Sequence, residues 1–214
     1  MPKDEQVLCL KRIDIEPIAG GILPQGAFAA PQLEALLNLP QYFLPRSHAE
    51  HDPAFKQIIP YQLFCCQNRF FVYQRGGKMG EQRLSGRLSV GIGGHINTDD
   101  AEDGILTPAA YQEALRRERI EELEEIEELS TRFIGWINDD SDPVGQVHLG
   151  AVHLDEVKNP DSLRIREKGE DLHAQGWWSA GEIMSRAERF EKWSVLAVEL
   201  CHHHLTQTND GHNK

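Results

Sequence analysis

Apolar residues in this chain fall first into strand-like blocks and then, from Thr107, into a helical spacing. Ile58-Ile59-Pro60-Tyr61-Gln62-Leu63-Phe64-Cys65-Cys66 predicts a strand, and Pro60 restricts it to an edge, a bulge or a strand start. Gln67-Asn68-Arg69 reads as a turn. The aromatic and β-branched run Phe70-Phe71-Val72-Tyr73-Gln74-Arg75 predicts a second strand. Leu88 to His95 reads as a strand passing into the loop Gly93-Gly94, where glycine permits close backbone approach to a ligand. Thr107-Pro108 is an N-cap followed by proline at the first helical position, and the helix runs on to about Glu125. Phe133–Ile137 and Gln146–Leu154 predict two more strands across an Asp-rich turn. The second is almost continuously apolar, as a strand buried on both faces would be. Gly176-Trp177-Trp178 precedes a helix from about Ala180, and a final helix spans about Phe190 to His204. The order of strands and helices predicts an α/β fold, a mixed sheet covered by helices.

The N-terminal stretch has a weaker pattern. Val7-Leu8-Cys9-Leu10 is a short strand candidate, Gly20-Gly21-Ile22-Leu23-Pro24 a turn region, and Pro31 to Leu37 a short helix. Such a stretch is too small to hold a core by itself. Residues 1–54 are therefore expected to dock as an extension on a main domain of residues 55–205, with 206–214 a polar tail. No internal repeat is visible.

Composition narrows the function. With 40% hydrophobic and 26% charged residues over 214 positions, the chain has the make-up of a globular domain with a sizeable core. A net charge of −12 argues against nucleic-acid polymers, whose binding rests on Lys and Arg neutralising phosphates. It leaves room for a small phosphorylated molecule, because a metal ion can supply local positive charge. Cys9, Cys65, Cys66 and Cys201 form no ligand pair of metal-site spacing, and buried reduced thiols in a cytoplasmic protein are expected. The first residues lack the apolar run of a signal peptide, and no apolar segment approaches the length of a membrane span.

The sharpest chemistry lies in Arg117-Glu118-Arg119-Ile120-Glu121-Glu122. At about 100° per residue, Glu118, Glu121 and Glu122 fall within roughly a quarter turn of a helix. Clustered carboxylates of this kind suit Mg²⁺ or Mn²⁺, hard ions that also bind phosphate oxygens. The plain alternative is a solvated acidic face, since residues 113–128 contain eight glutamates. The glycine pair upstream tips the balance toward a site. His95 and His148 read as hydrogen-bonded structural residues, and Trp177 and Trp178 as packing residues. Cys201-His202-His203-His204 reads as a frayed helix end.

The glycine pair followed by this acidic helix resembles the Nudix hydrolases, whose box is G-x5-E-x7-R-E-U-x-E-E-x-G-U, with U a bulky apolar residue. Arg117-Glu118-x-x-Glu121-Glu122 matches the central part. Gly94 stands as the leading glycine, and Asp100 stands six residues later where the box has Glu. Sixteen residues rather than seven then separate Asp100 from Arg117, as a nine-residue insertion near residues 101–109 would produce. Arg119 replaces the apolar U, Glu124 the helix-ending glycine, Glu125 the last apolar residue, and Ile92 the usual proline before the glycines. A divergent subgroup of predicted phosphoesterases is closer. It shares segments like Phe55 to Tyr61, Gly91 to Ile96 and His148 to Ala151, which extends the resemblance to roughly residues 42–200.

The resemblance implies an α/β/α sandwich and hydrolysis of a diphosphate linked to another moiety. It implies Mg²⁺ or Mn²⁺ held by Glu118, Glu121 and Glu122, with Glu121, Glu122 and Arg117 as the catalytic set. Arg117 would pair with a carboxylate of its own helix, Glu121 or Glu113, and fix its rotamer. Gly93 and Gly94 would approach the metal or phosphate, with Arg75, Lys78, Arg83 and Arg87 as candidate phosphate cations and Arg75 and Arg87 the better geometrical choices. The general base is one of the box glutamates or a loop acid such as Glu167 or Glu170. Asp100 joins only if the inserted loop folds back. Arg119 would pack its stem and send its head to solvent. Three other readings stay open: a catalytically silent nucleotide-binding regulatory module, a diphosphate-ester isomerase, and an interaction protein with an acidic docking helix. A homodimer is the base-rate expectation for assembly.

Overall fold

The apolar N-terminal run Val7–Leu10 forms a strand, as its β-branched and aliphatic residues favour, and it does not stand alone. The computed structural model describes residues 4–29, 32–76, 86–124, 126, 129–166 and 172–210, without the side chains of 129, 203 and 205–210. The strands are β1 (Gln6–Lys11), β2 (Gly26–Phe28), β3 (Gln41–Pro45), β4 (Phe55–Cys66), β5 (Arg69–Arg75), β6 (Leu88–Ser89), β7 (Gly91–Gly93), β8 (Leu129–Asn138), β9 (His148–Val157) and β10 (Leu172–Ser179). The helices are α1 (Arg12–Ile18), α2 (Leu33–Leu37), α3 (Arg46–Ala49), α4 (Pro108–Glu122), α5 (Pro143–Val147), α6 (Ala180–Met184) and α7 (Lys192–Asp210).

The strands hydrogen-bond in the order β10-β5-β4-β9-β8-β2, with β1 and β7 also on β4, β3 on β1 and β6 on β5. This is the expected mixed sheet with helices, the α/β/α sandwich class. The order excludes an edge position for Pro60. It lies inside β4, between the stretch that pairs with β1 at residues 55–57 and the stretch that pairs with β5 at 65–66. Among the described residues no helix is long and apolar enough to cross a membrane.

Contacts divide the chain into two units. One comprises residues 1–61, 93–117 and 135–152. There β1 pairs with β3 in the register Val7↔Leu44 and with β4 through Cys9↔Gln57, and β2 pairs with β8 through Ala27↔Ile137. The segment before residue 55 thus contributes strands to the sheet. Val7, Cys9 and Ala49 pack there with Tyr42, Leu44 and Phe55. A buried polar cluster sits in the same unit. Lys56, fully buried on β4, donates to Asp140 Oδ1 at 2.7 Å and to the carbonyls of Gly145 and His148. Arg12 closes a two-pronged bond on the same carboxylate, at 3.0 and 2.6 Å. Burial lowers the Lys56 ammonium to about 8 against the pull of Asp140. Burial also pushes the Asp140 carboxyl up, but hydrogen bonds from Arg12, Lys56 and Gln25 overcome this and hold it well below the usual carboxylate range. Part of the expected Asp-rich turn is helix α5, because Asp142 caps it by accepting from Gly145 N at 2.8 Å and Pro143 fits its first turn.

The other unit comprises residues 62–92, 118–134 and 153–214. Its core joins Phe64, Cys66, Phe71, Tyr73, Ile92, Leu123, Ile126, Val157, Leu163 and Leu172, with Ile165 and Trp177 against it. The segment through Trp178 is expected only as the lead-in to a helix, yet it is strand β10, paired with β5. Gln175 bulges between Ala174↔Tyr73 and Gly176↔Val72, and Gly176 has φ +90°. The bulge and the exposed residues of this edge strand break the alternation that would have revealed it. Both tryptophans pack, Trp177 on Phe71 and Trp178 on Phe190, with ring centroids 5.6 and 5.9 Å apart. The four cysteines are free thiols and buried.

His153 of β9 is buried against Phe133 of β8, and burial drops its imidazole to about 3. The unfolded chain takes up that proton near pH 6.5, whereas the native protein does not. Its stabilising share is therefore complete above about pH 6.5 and drains away as pH falls toward about 3, by up to ~1.4 kcal/mol per unit. Denaturant titrations of the parent and His153→Gln across this range should show a shallower acid decline in the variant. Identical slopes would refute the buried neutral ring.

Candidate functional site

Helix α4 begins as its sequence dictates. Thr107 Oγ1 accepts from Ala110 N at 3.1 Å, and Pro108 is the first helical residue. Tyr111, Ala114, Leu115 and Glu118 form its buried stripe, so Glu118 is the carboxylate on the protected face, only 9% exposed. Glu121 is exposed and Glu122 half-buried. The helix ends at Glu122, three residues earlier than expected. Glu122 O accepts from Arg166 N, Glu124 N donates to Arg164 O, and Leu123 bridges Ile165. Pairing with this neighbouring segment, and not a glycine, turns the chain out of the helix. That accounts for Glu124 at the box's glycine position.

The insertion folds back. Asp103 and Gly104, with φ of +49° and +76°, make a tight turn closed by two backbone bonds between Glu102 and Ile105. Asn97 caps the short 3-10 turn Thr98–Asp100, and the Asp100 carboxylate accepts from Asn97 N at 2.9 Å. Arg117 then closes its fork on Asp100, Nε to Oδ1 and an Nη to Oδ2, both at 2.8 Å, and donates to His95 O at 3.0 Å. Arg117, for which a partner on its own helix is expected, thus pairs with a carboxylate seventeen residues upstream, and planar two-point pairing fixes the guanidinium more firmly than a single bond could.

Arg119 corrects another expectation. Its head does not reach solvent but turns inward to Asp155 of β9, with 3.8 Å between charged atoms and Asp155 fully buried. Burial pushes the Asp155 carboxyl up to about 6, against Thr131 and Arg119. The apolar position of the box is therefore filled by a buried ion pair between α4 and β9, which ties down the helical turn carrying the glutamates.

The glycines and the cations have defined places. A Cβ on Gly93 would lie 2.5 Å from Pro60 O and 3.2 Å from the Tyr61 ring, so β7 needs glycine there to approach β4. Gly94 follows β7 directly. Arg75 donates to Glu191 at 2.7 Å and to Tyr73 Oη at 3.3 Å, and Arg87 donates to the carbonyls of Glu188 and Phe190. Both hold the segment leading into α7. Lys78, Arg83, Glu167 and Glu170 lie outside the described residues.

Among the described residues, the acidic and imidazole side chains whose ligand atoms converge within 4.8 Å are Glu50, His95 and His148. Sequence reading missed Glu50, which carries no local signal in a polar segment. The structural role expected for His148 is present, since its Nδ1 lies 2.7 Å from Val144 O. The hydrogen-bonded role expected for His95 is not, because its Nε2 is buried with no hydrogen-bond partner.

No protein-family model matches the chain. It is 34% identical over 163 residues to the Bacillus subtilis protein YmaB, covering 72% of this chain and 75% of that one. Among solved structures it is similar to Tm1382, provisionally assigned as a Nudix hydrolase, with 26% identity and a TM-score of 0.70 over 92% of this chain and 98% of that one.

Proposed function

The chain belongs to the Nudix hydrolase family, and we propose that it is a Mg²⁺- or Mn²⁺-dependent pyrophosphohydrolase cleaving the diphosphate linkage of a small nucleoside-diphosphate-type molecule. The observation that carries this reading is the pairing of Arg117 with Asp100, which brings two box positions together across an insertion that more than doubles their spacing. A solvated acidic face has no use for an arginine clamped immediately before Glu118.

The donor set fits a hard divalent ion: three carboxylates on the last turns of one helix, one of them buried on the protected stripe. Glu118, Glu121 and Glu122 would hold it. When bound, such an ion polarises phosphoryl oxygens and lowers the pKa of a coordinated water. Arg117, fixed by Asp100 and by the His95 carbonyl, sets the start of that turn. Arg119 and Asp155 brace it from the core. Glu121 and Glu122 are the candidates for proton abstraction on the helix, with Glu167 and Glu170 as loop alternatives. Gly93, Gly94 and Lys78 remain the proposed substrate contacts. Arg75 and Arg87, whose donors go to Glu191 and to carbonyls, first of all order the chain around them. Residues 55–205 are the proposed catalytic domain, with 1–54 as its extension. The test is hydrolysis, with Mg²⁺ and with Mn²⁺, of nucleotide sugars, dinucleoside polyphosphates, ADP-ribose, NADH and CoA.

A further inference from the structure

We propose that Glu50, His95 and His148 form a binding site for one divalent transition-metal ion, with donors separate from the α4 glutamates. The site stands whether or not the hydrolase reading does. Three segments supply it. Glu50 caps the C-terminus of α3, His95 follows the glycine pair after β7, and His148 opens β9. All three belong to the same unit of the chain.

The ring chemistry is set by neighbours. A carbonyl can only accept, so the 2.7 Å contact with Val144 O puts the His148 proton on Nδ1 and leaves the lone pair of the neutral ring on Nε2. That Nε2 lies 4.0 Å from Glu50 Oε1. His95 stacks edge-on against His148, with ring centroids 5.6 Å apart, and its carbonyl is pinned by Arg117. A buried imidazole nitrogen without a hydrogen bond is costly in an apo protein and is satisfied by a metal.

A plain ion pair between Glu50 and a protonated His148 explains less. At 4.0 Å it makes no hydrogen bond, and it gives His95 nothing to do. Ligands on a tetrahedral ion sit about 3.4 Å apart, given bond lengths near 2.0–2.2 Å. The Glu50 side chain, 27% exposed and held by Arg46 Nε only at 3.4 Å, closes the difference by a small rotation. Two imidazoles and a carboxylate select Zn²⁺, Co²⁺, Ni²⁺ or Fe²⁺ over Mg²⁺, which prefers an all-oxygen shell.

The test uses the full chain carrying His202→Ala, His203→Ala and His204→Ala, so that the C-terminal histidines contribute nothing. After chelator treatment and dialysis, Zn²⁺ is titrated against a chromogenic competitor in millimolar Mg²⁺. Site binding predicts one tight equivalent that Mg²⁺ does not displace. Affinity should fall more than about tenfold in Glu50→Gln and in His95→Ala, and stay unchanged in Glu121→Gln. Glu50→Gln alters a partly exposed side chain outside the core, so circular dichroism should match the parent. Cu²⁺ bound at the site should show coupling to two imidazole nitrogens in pulsed electron paramagnetic resonance, reduced to one in His95→Ala. Equal Zn²⁺ affinity in the parent, Glu50→Gln and His95→Ala, or no equivalent bound in the parent, would overturn the assignment.

Discussion

Glu122→Gln is expected to lower turnover of the cleaved diphosphate by at least about 100-fold while the fold stands. The exchange keeps volume and hydrogen-bonding shape but removes a negative charge from the proposed ion shell, where charge stabilisation supplies most of the rate. Its main-chain carbonyl still receives Arg166 N, so the turn at the end of α4 persists. The half-buried side chain contributes little to the core. Melting temperature without metal should therefore match the parent within a few degrees. The loss should appear mainly in kcat at saturating Mg²⁺, since the missing interaction matters most in the transition state. Normal turnover in this variant would remove Glu122 from the site.

Asp140→Ala carries the largest expected cost in stability. It strips the counter-charge from Lys56, a fully buried ammonium, and leaves only the carbonyls of Gly145 and His148 to receive it. It also releases the Arg12 fork that ties α1 to the turn after β8. Breaking a buried pair from one side costs about 3 kcal/mol or more, because an uncompensated charge stays behind. The sign with pH follows from the lysine. Without Asp140 its folded pKa drops further below the parent's value of about 8, so the variant sheds the proton first. The deficit should be widest in mildly acid solution and narrow as pH rises toward about 8, where the parent lysine also gives up its proton. Denaturant unfolding at several pH values measures it. A deficit below ~1 kcal/mol at neutral pH would show that Lys56 finds another partner.

The chemistry-bearing helix was legible in the sequence because its signals are local. Thr107-Pro108 starts it, and the carboxylates repeat at helical spacing. Its end was not legible, since Glu124 and Glu125 favour continued helix and only pairing of Leu123 with Ile165 overrides them. Arg119 misled for the same reason. An arginine on an apolar face looks outward until Asp155, one residue past the strand as read from the sequence, is placed beneath it. Asp100 was identified as a box position, but its bond to Arg117 depends on the Asp103-Gly104 turn returning the insertion to the helix. The Glu50, His95 and His148 cluster had no sequence signature. Its ligands come from three segments with no common spacing, and each residue alone reads as ordinary. The short strands β2 and β3 offer too few residues for any period to show. They owe their form to β8 and β1 beside them.

Phosphorus NMR of the untreated diphosphate panel incubated with the protein and Mg²⁺ tests the central claim most directly. The account predicts that the bridging P–O–P resonances of at least one compound disappear, that monophosphate resonances replace them, and that omitting the divalent ion stops the change. Spectra that shift without any monophosphate would mark isomerisation instead. Intact P–O–P resonances for every compound, from folded protein with Mg²⁺ bound, would contradict the hydrolase.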